Sequence, residues 1–341
     1  MLETLRKLCS LDGVTGNEEP VRKYIQERVA PFADKITSDP MGNLIVFKKG
    51  KKTPARRVML AAHMDEVGVI VTDITDGGYL RFACAGGIDR RILPGKEVFV
   101  GPQRVYGVIG SKPIHLLKDD ERKRVPKVDD MYIDIGAKDK ETAEKLVSLG
   151  DTGAFDPETV LFGDGFLKAK AIDDRVGCAA MIKLIESDLP FDCWFVFTVQ
   201  EEVGCRGVLG AAFRLEPEIA VILEGTTAAD LPSVKGAKRI CSPGKGVVIP
   251  FMDRGSIYDR GLYKFATETA DKYGIKWQTK SYIAGGTDAS AVQRSRAGVK
   301  VIGLAAAMRN IHSPACVAAV SDIENLPRLA GLLLEELGGT L

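Results

Sequence analysis

WFVFTVQEEVGCRG, residues 194–207, runs an apolar stretch directly into two adjacent glutamates. Residues 194–199 are aromatic and β-branched, short, and without polar alternation, which predicts a strand buried on both faces. Such strands belong to parallel sheets covered by helices. Two like charges at the strand exit, Glu201 and Glu202, repel each other unless a positive group stands nearby or one of them carries a proton.

The neighbouring segments extend this pattern. AIDDRVGCAAMIKLIESDL (171–189) predicts a helix before the strand, and strands EIAVILEG (218–225) and GVVIPFM (246–252) follow it. Helix SIYDRGLYKFATETADKYG (256–274), strands KWQTKSYIAGG (276–286) and VKVIGLAAA (299–307), and a closing helix at 326–337 complete the C-terminal part. Near the N-terminus, MLETLRKLCSLDG reads as a short amphipathic helix. In GNEEPVRKYIQERVAPF (16–32), Asn17 is the expected cap, and Val21, Tyr24, Ile25 and Val29 share one helical face. NLIVFKK (43–49) and RRVMLAAHMDEVG (56–68) predict two more strands. Strands alternating with helices imply an α/β fold with a mostly parallel central sheet flanked by helices.

Between them the texture changes. VGVIVTDI, YLRFACAGG, KEVFVG and RVYGVIG are short alternating strands punctuated by Gly, Pro and Asp, with one helical piece at 138–150. This predicts a small β-rich, barrel-like insert at 68–163 interrupting an α/β domain built from 1–67 and 164–341. The charge cluster KDDERKRVPKVDD (118–130) reads as a solvated loop.

Bulk composition narrows the function classes. Lys+Arg 47 against Asp+Glu 46 argues against a nucleic-acid surface. No apolar run approaches the roughly 20 residues that span a bilayer, and the N-terminus has no signal-peptide core. The seven scattered cysteines lack a CxxC pair, so reduced thiols in a cytoplasmic protein are expected. Cys178 and Cys205 read as small buried residues in preference to nucleophiles.

Active sites of open α/β sheets gather beyond the carboxyl ends of the strands. His63 and Asp65 follow one strand, Glu201 and Glu202 a second, Glu224 a third and His312 a fourth, while Asp173 and Asp174 open a helix. Each alone has an ordinary reading, as a cap, a satisfied histidine or a solvated charge. Together they make a mixed N/O donor set suited to Zn²⁺, Co²⁺ or Mn²⁺. The carboxylates exceed what one ion needs, which favours two divalent ions sharing a carboxylate. One glutamate can then ligate while its neighbour acts as general base on water. Asp65 is placed to accept the far imidazole N–H of His63.

In order, AAHMDEVG (61–68), AIDDRVG (171–177), VQEEVGCRG (199–207), ILEGTTAAD (222–230), GGTDA (285–289) and NIHSP (310–314) resemble the motifs of the M42 metallo-aminopeptidases. LDGVTGNEE (11–19) and GSKPIHLL (110–117) extend the resemblance over nearly the whole chain. It implies a zinc-peptidase-like fold, aminopeptidase activity on short peptides, and dimers assembling into a dodecamer through the insert. It further implies His63 and Glu224 on one ion, Glu202 and His312 on the other, Asp173 bridging both, and Glu201 as base. Asp174 would follow the bridging ligand across a cis peptide. Gly286, Thr287 and Asp288 would form a tight turn near the substrate, with Arg254 a further pocket candidate. In one departure, many relatives carry Asp where this chain has Glu224. The extra methylene bears on ion spacing and on mono- or bidentate binding. His115, in the insert, reads as structural. Three other readings compete: a glycoside hydrolase using paired carboxylates, a metal-dependent deacylase on the same scaffold, and a binding protein with a dead site. The two histidines argue against the first, and the complete ligand set against the last.

Overall fold

The computed structural model describes residues 1–339. The chain opens with α1 (Leu2–Cys9) and α2 (Glu19–Val29), which bury Leu5, Leu8, Val21, Ile25 and Val29. Glu18, not Asn17, precedes α2, with Pro20 in the first turn where its fixed φ suits a helix start. Asn17 Nδ2 instead donates to Thr152 Oγ1 at 3.0 Å. Strands β1 (Lys35–Ser38), β2 (Leu44–Lys48) and β3 (Val58–His63) follow. β1 escapes a sequence reading because it is a short, largely exposed edge strand with no apolar pattern.

Next come β4 (Gly68–Ile74), β5 (Leu80–Ala85), β6 (Glu97–Val100), β7 (Val105–Ser111), β8 (Met131–Asp134), α3 (Lys140–Glu144) and β9 (Thr152–Phe155). The six strands close into a barrel in the order β4-β5-β8-β7-β6-β9. Closure leaves no unpaired edge, and Val69, Val71, Leu80, Val98, Ile109, Ile133 and Phe155 fill the interior.

The chain then returns to a large sheet through the hairpin β10 (Val160–Phe162) and β11 (Phe166–Ala169). After it come α4 (Ile172–Ile185), β12 (Cys193–Thr198), α5 (Arg206–Leu215), β13 (Ile219–Thr227), β14 (Val247–Val248), α6 (Arg260–Lys272), β15 (Trp277–Gln278), α7 (Ala289–Gln293), β16 (Lys300–Arg309), β17 (Cys316–Ala319) and α8 (Val320–Gly338). The principal order of this eleven-stranded sheet is β1-β2-β12-β3-β13-β16-β17-β11-β10. Its centre, β12-β3-β13-β16, is parallel; the margins are antiparallel. Along β13, Ile219, Val221 and Leu223 pack on one face and Ala220 and Ile222 on the other. That two-residue period buries the strand between helical layers, which is why its sequence lacks polar alternation. Of the expected strand at 276–286, only Trp277–Gln278 pairs; residues 279–286 form a loop. The last helix starts at Val320, with Pro327 inside it, so the proline does not mark its beginning.

Candidate metal centre

The four parallel strands end together, and each delivers chemistry there. His63 is the last residue of β3, and Glu201 and Glu202 follow β12. Glu224 lies in β13 opposite Ala305 of β16, and His312 follows β16. Asp173 and Asp174 sit at the mouth of α4, where the backbone is non-helical, and the peptide bond between them is cis. Ala171, Gln200, Cys205, Asn310 and His312 all have positive φ, between 53° and 57°. Left-handed non-glycine backbone is costly and gathers where a site over-determines the chain path.

One carboxylate lies between the two imidazoles. Asp173 Oδ1 is 3.3 Å from His63 Nε2, and its Oδ2 is 3.4 Å from His312 Nε2. His63 Nε2 also faces Glu224 Oε1 at 3.3 Å, and His312 Nε2 faces Glu202 Oε2 at 3.3 Å. Ligands about 2.0–2.2 Å from one tetrahedral ion lie roughly 3.3–3.5 Å apart, which matches all four separations. Ligand atoms of His63, Asp173 and Glu202, and of His63, Asp174 and Glu224, fall within 4.8 Å of one another. Asp173 Oδ1 is buried and makes no hydrogen bond, an orphan that a cation would satisfy.

The imidazoles are oriented for ligation. His63 Nδ1 is 3.1 Å from the Asp65 carbonyl, and His312 Nδ1 is 2.8 Å from the Gly87 carbonyl. A carbonyl only accepts, so each Nδ1 carries a proton and each Nε2 faces the carboxylates. The sequence assigns the His63 partner to the Asp65 carboxylate. Its Oδ1 is farther off, at 3.5 Å. The two Asp65 oxygens also accept the backbone N–H groups of Glu201 and Glu202 at 3.0 and 3.1 Å. Asp65 thereby fixes how both glutamates leave β12.

The electrostatics call for added positive charge. Burial, with like-charged neighbours, pushes Glu201 and Glu224 well above the ordinary carboxylate range and Glu202 up to about 7. Burial opposes charging His312, yet Asp173 and Glu202 raise it to about 9. Burial likewise opposes charging His63, but Glu224 and Asp173 hold it well above its usual value. Protons here do what a dication would do better. Donor types, spacing, tautomers and charge all fit divalent metal.

Against that geometry, a family model for M42 glutamyl aminopeptidases matches residues 42–329. The chain belongs to this family. M42 enzymes are metallopeptidases, so the chain is a peptide-bond hydrolase of aminopeptidase type. The lysyl aminopeptidase of Pyrococcus furiosus is 34% identical over 344 residues, covering 98% of this chain and 97% of that protein. The TET1 peptidase of Pyrococcus horikoshii superposes with a TM-score of 0.86 at 35% identity, over 98% of this chain and 99% of its own; it is described as assembling into a tetrahedron or a large octahedral shell. A Thermotoga maritima protein described as an endoglucanase gives a TM-score of 0.82 at 32% identity, over 98% and 97% of the two chains.

The other candidates have these surroundings. Asp288 is buried and accepts the Thr198 hydroxyl at 2.6 Å. Thr287 Oγ1 lies 3.4 Å from the Tyr258 hydroxyl. Gly286 is exposed, as is Arg254, whose backbone N–H donates to the Gly285 carbonyl at 2.9 Å. Cys178 is buried and donates to the His63 carbonyl at 3.1 Å, a packing role. His115 is exposed on the insert between Ile114 and Leu116.

Sequence reasoning missed three contributors. Gly87, just past β5, supplies the acceptor that orients His312. Lys280, buried on the 279–288 loop, donates to the Ala284 carbonyl at 2.8 Å. Burial lowers its pKa, while Glu224 and Asp173 are among the acids that oppose the shift. Glu66 accepts Lys170 Nζ at 2.6 Å and Arg175 Nη2 at 3.3 Å, and all three are buried. The available signal was charge inside apolar motifs, in AAHMDEVG and AKAIDDRVG.

Proposed function

We propose that the chain is a dinuclear aminopeptidase that releases N-terminal residues from short peptides. The observation that carries this reading is the single Asp173 carboxylate set between two imidazoles, each of which faces a further carboxylate at 3.3 Å. His63 and Glu224 would hold one ion, His312 and Glu202 the other, with Asp173 shared. Zn²⁺ and Co²⁺ suit the mixed donor set, and Mn²⁺ is an alternative. When bound, such ions supply Lewis acidity to a scissile carbonyl and acidify water.

The protein's own part is positioning and proton transfer. Glu201 would take the proton of the attacking water and hand it to the leaving amine. Its Oε1 accepts the Cys205 thiol at 3.4 Å, which leaves Oε2, 4.0 Å from His63 Nε2, for that work. Asp65 holds the backbone of base and ligand together. The turn at 285–288 and Arg254 would border the substrate. The endoglucanase description of the Thermotoga neighbour fits metal-free carboxylate chemistry, but imidazoles aimed among the carboxylates favour metal.

We assign assembly into a homo-oligomer, dimers building a dodecamer, to the insert at 68–163. Support comes from the assembling TET1 neighbour and from apolar side chains at the insert surface, Ile114 at 73% and Leu116 at 58% exposure. Ile114→Glu with Leu116→Glu should shift the particle to a smaller size in light scattering; an unchanged particle would remove the insert from assembly. Among the described residues no helix is long and apolar enough to cross a membrane. The free cysteines support a cytoplasmic setting.

The deciding experiment offers peptides with free and acetylated N-termini, acylated small molecules and glycans to chelated protein resupplied with Zn²⁺, Co²⁺ or Mn²⁺. Metal-dependent release of the first residue from free N-termini alone is expected. Glu201→Gln should cut turnover by about 10²–10⁴-fold while binding metal normally. Retained turnover in that variant would remove Glu201 as base, and cleavage of acetylated substrates or glycans would move the activity to deacylation or glycoside hydrolysis.

A further inference from the structure

Beside the imidazole pair lies a second donor cluster, which shares Glu201 with the hydrolytic reading. Cys205, Asp288 and Glu201 each offer a ligand atom, all within 4.8 Å of one another. Cys205, half-buried at the start of α5, directs Sγ to 3.4 Å from Glu201 Oε1, and Ser290 Oγ lies 3.9 Å from the same sulfur. Asp288 is 1% exposed. Its Oδ2 accepts the Thr198 hydroxyl, while its Oδ1 is buried with no hydrogen-bond partner. A buried carboxylate oxygen left without a donor costs free energy, so it marks a place for a cation or a proton donor. A tetrahedral Zn²⁺ with legs of about 2.3 Å to sulfur and 2.0–2.2 Å to oxygen separates those two atoms by about 3.5 Å. Cys205 and Glu201 already stand at 3.4 Å.

We propose that Cys205, Asp288 and Glu201 form a third cation site, which takes a thiophilic divalent ion such as Zn²⁺ or Cd²⁺ and inhibits hydrolysis when filled. The inhibition rests on the reading of Glu201 as the base: a glutamate that ligates an ion cannot take a proton from water. On binding, the Cys205 S–H bond breaks, its proton goes to solvent and the sulfur–metal bond forms, with no change of oxidation state. The site is distinct in kind from the imidazole–carboxylate centre, because only it carries sulfur. Thiolate selects softer ions, so excess Zn²⁺ or Cd²⁺ inhibits at concentrations where excess Mn²⁺ does not.

The test adds Cd²⁺ to protein already loaded with two equivalents of Zn²⁺, reading the ultraviolet thiolate-to-metal charge-transfer band and peptide turnover together. The band should saturate at one further equivalent, and turnover should fall with the same midpoint. Cys205→Ala should abolish the band and raise the half-inhibitory Cd²⁺ concentration at least about tenfold, measured against the variant's own metal-loaded turnover. Asp288→Asn should shift the midpoint of the band about tenfold, and it serves alone if the alanine variant does not fold. Absence of a band in the parent protein, or inhibition unaltered in Cys205→Ala, overturns the proposal. A saturating band in a protein that cleaves no peptide upholds the site and removes the hydrolytic reading; full turnover with no band does the reverse.

Discussion

Glu66→Gln removes one negative charge from the molecule's interior and keeps its shape. In the native protein Glu66 Oε1 accepts Lys170 Nζ at 2.6 Å, Arg175 Nη2 at 3.3 Å and the Gly13 N–H at 3.0 Å. Lys170 is 1% exposed and Arg175 fully buried. The substitution leaves two buried cations short of their counter-charge; among the described residues the carboxylate that still faces Lys170 is Asp12, with Oδ1 at 3.5 Å. Breaking a buried pair in this way costs about 3–5 kcal/mol. An unfolding entropy of about 2.1 cal/mol/K per residue gives about 0.7 kcal/mol/K for 341 residues, so Tm should fall by about 4–7 °C. The cost should also depend on pH. Burial already holds the Lys170 pKa below its ordinary value, and Glu66 opposes that shift. Without Glu66 the folded pKa drops further. The native state then binds fewer protons than the unfolded chain between that lowered value and about 10.4, so the variant regains stability as pH rises. Thermal denaturation of metal-free protein followed by circular dichroism should therefore show a larger deficit at pH 6 than at pH 9. Adding Lys170→Met should restore at least half the loss. A deficit below about 1 kcal/mol, or no recovery in the double variant, would refute this account of the network.

Two further outcomes follow from the centre itself. In metal-free protein His312 is held at about 9 and Glu202 at about 7, so at neutral pH the first is protonated and the second partly so. Ligands must lose their protons to bind. Metal loading should release protons, and affinity should climb with pH towards 9, seen as calorimetric heats that differ between buffers of unlike ionisation enthalpy. His312→Ala should lower the proton count by about one and the metal content from two equivalents to one; buffer-independent heats would contradict the titration. Asp65→Asn replaces one acceptor oxygen with a donor facing the Glu201 and Glu202 N–H groups. Turnover should drop by about 10–100-fold with KM nearly unchanged, and a pure KM effect would place Asp65 in substrate binding instead.

The side chains of the centre were legible because parallel strands end where active sites form, and His63, Glu201, Glu202, Glu224 and His312 each follow or interrupt an apolar run. The parallel core and the barrel were legible for the same reason: burial on two faces and burial on one leave different patterns. Backbone geometry was not. The carbonyls of Asp65 and Gly87 orient the histidines, and a carbonyl is present at every residue, so composition says nothing of which one is used. Nor was long-range pairing, since Lys170 and Glu66 stand 104 positions apart. β1 was missed because an exposed edge strand needs no apolar period.

The contact between His312 and Gly87 has a consequence for how this enzyme is dissected. Gly87 keeps ordinary backbone torsions, and a methyl group added there would sit 3.6 Å from His312 Nδ1, a normal packing distance. Substitution leaves the carbonyl in place, so alanine scanning passes over position 87 in silence. Only a change of chain path can remove the acceptor, by lengthening or shortening the connection after β5. The connection after β5 is therefore tied to His312 through an atom that no codon change can delete, and excising the barrel would take that acceptor away from the imidazole.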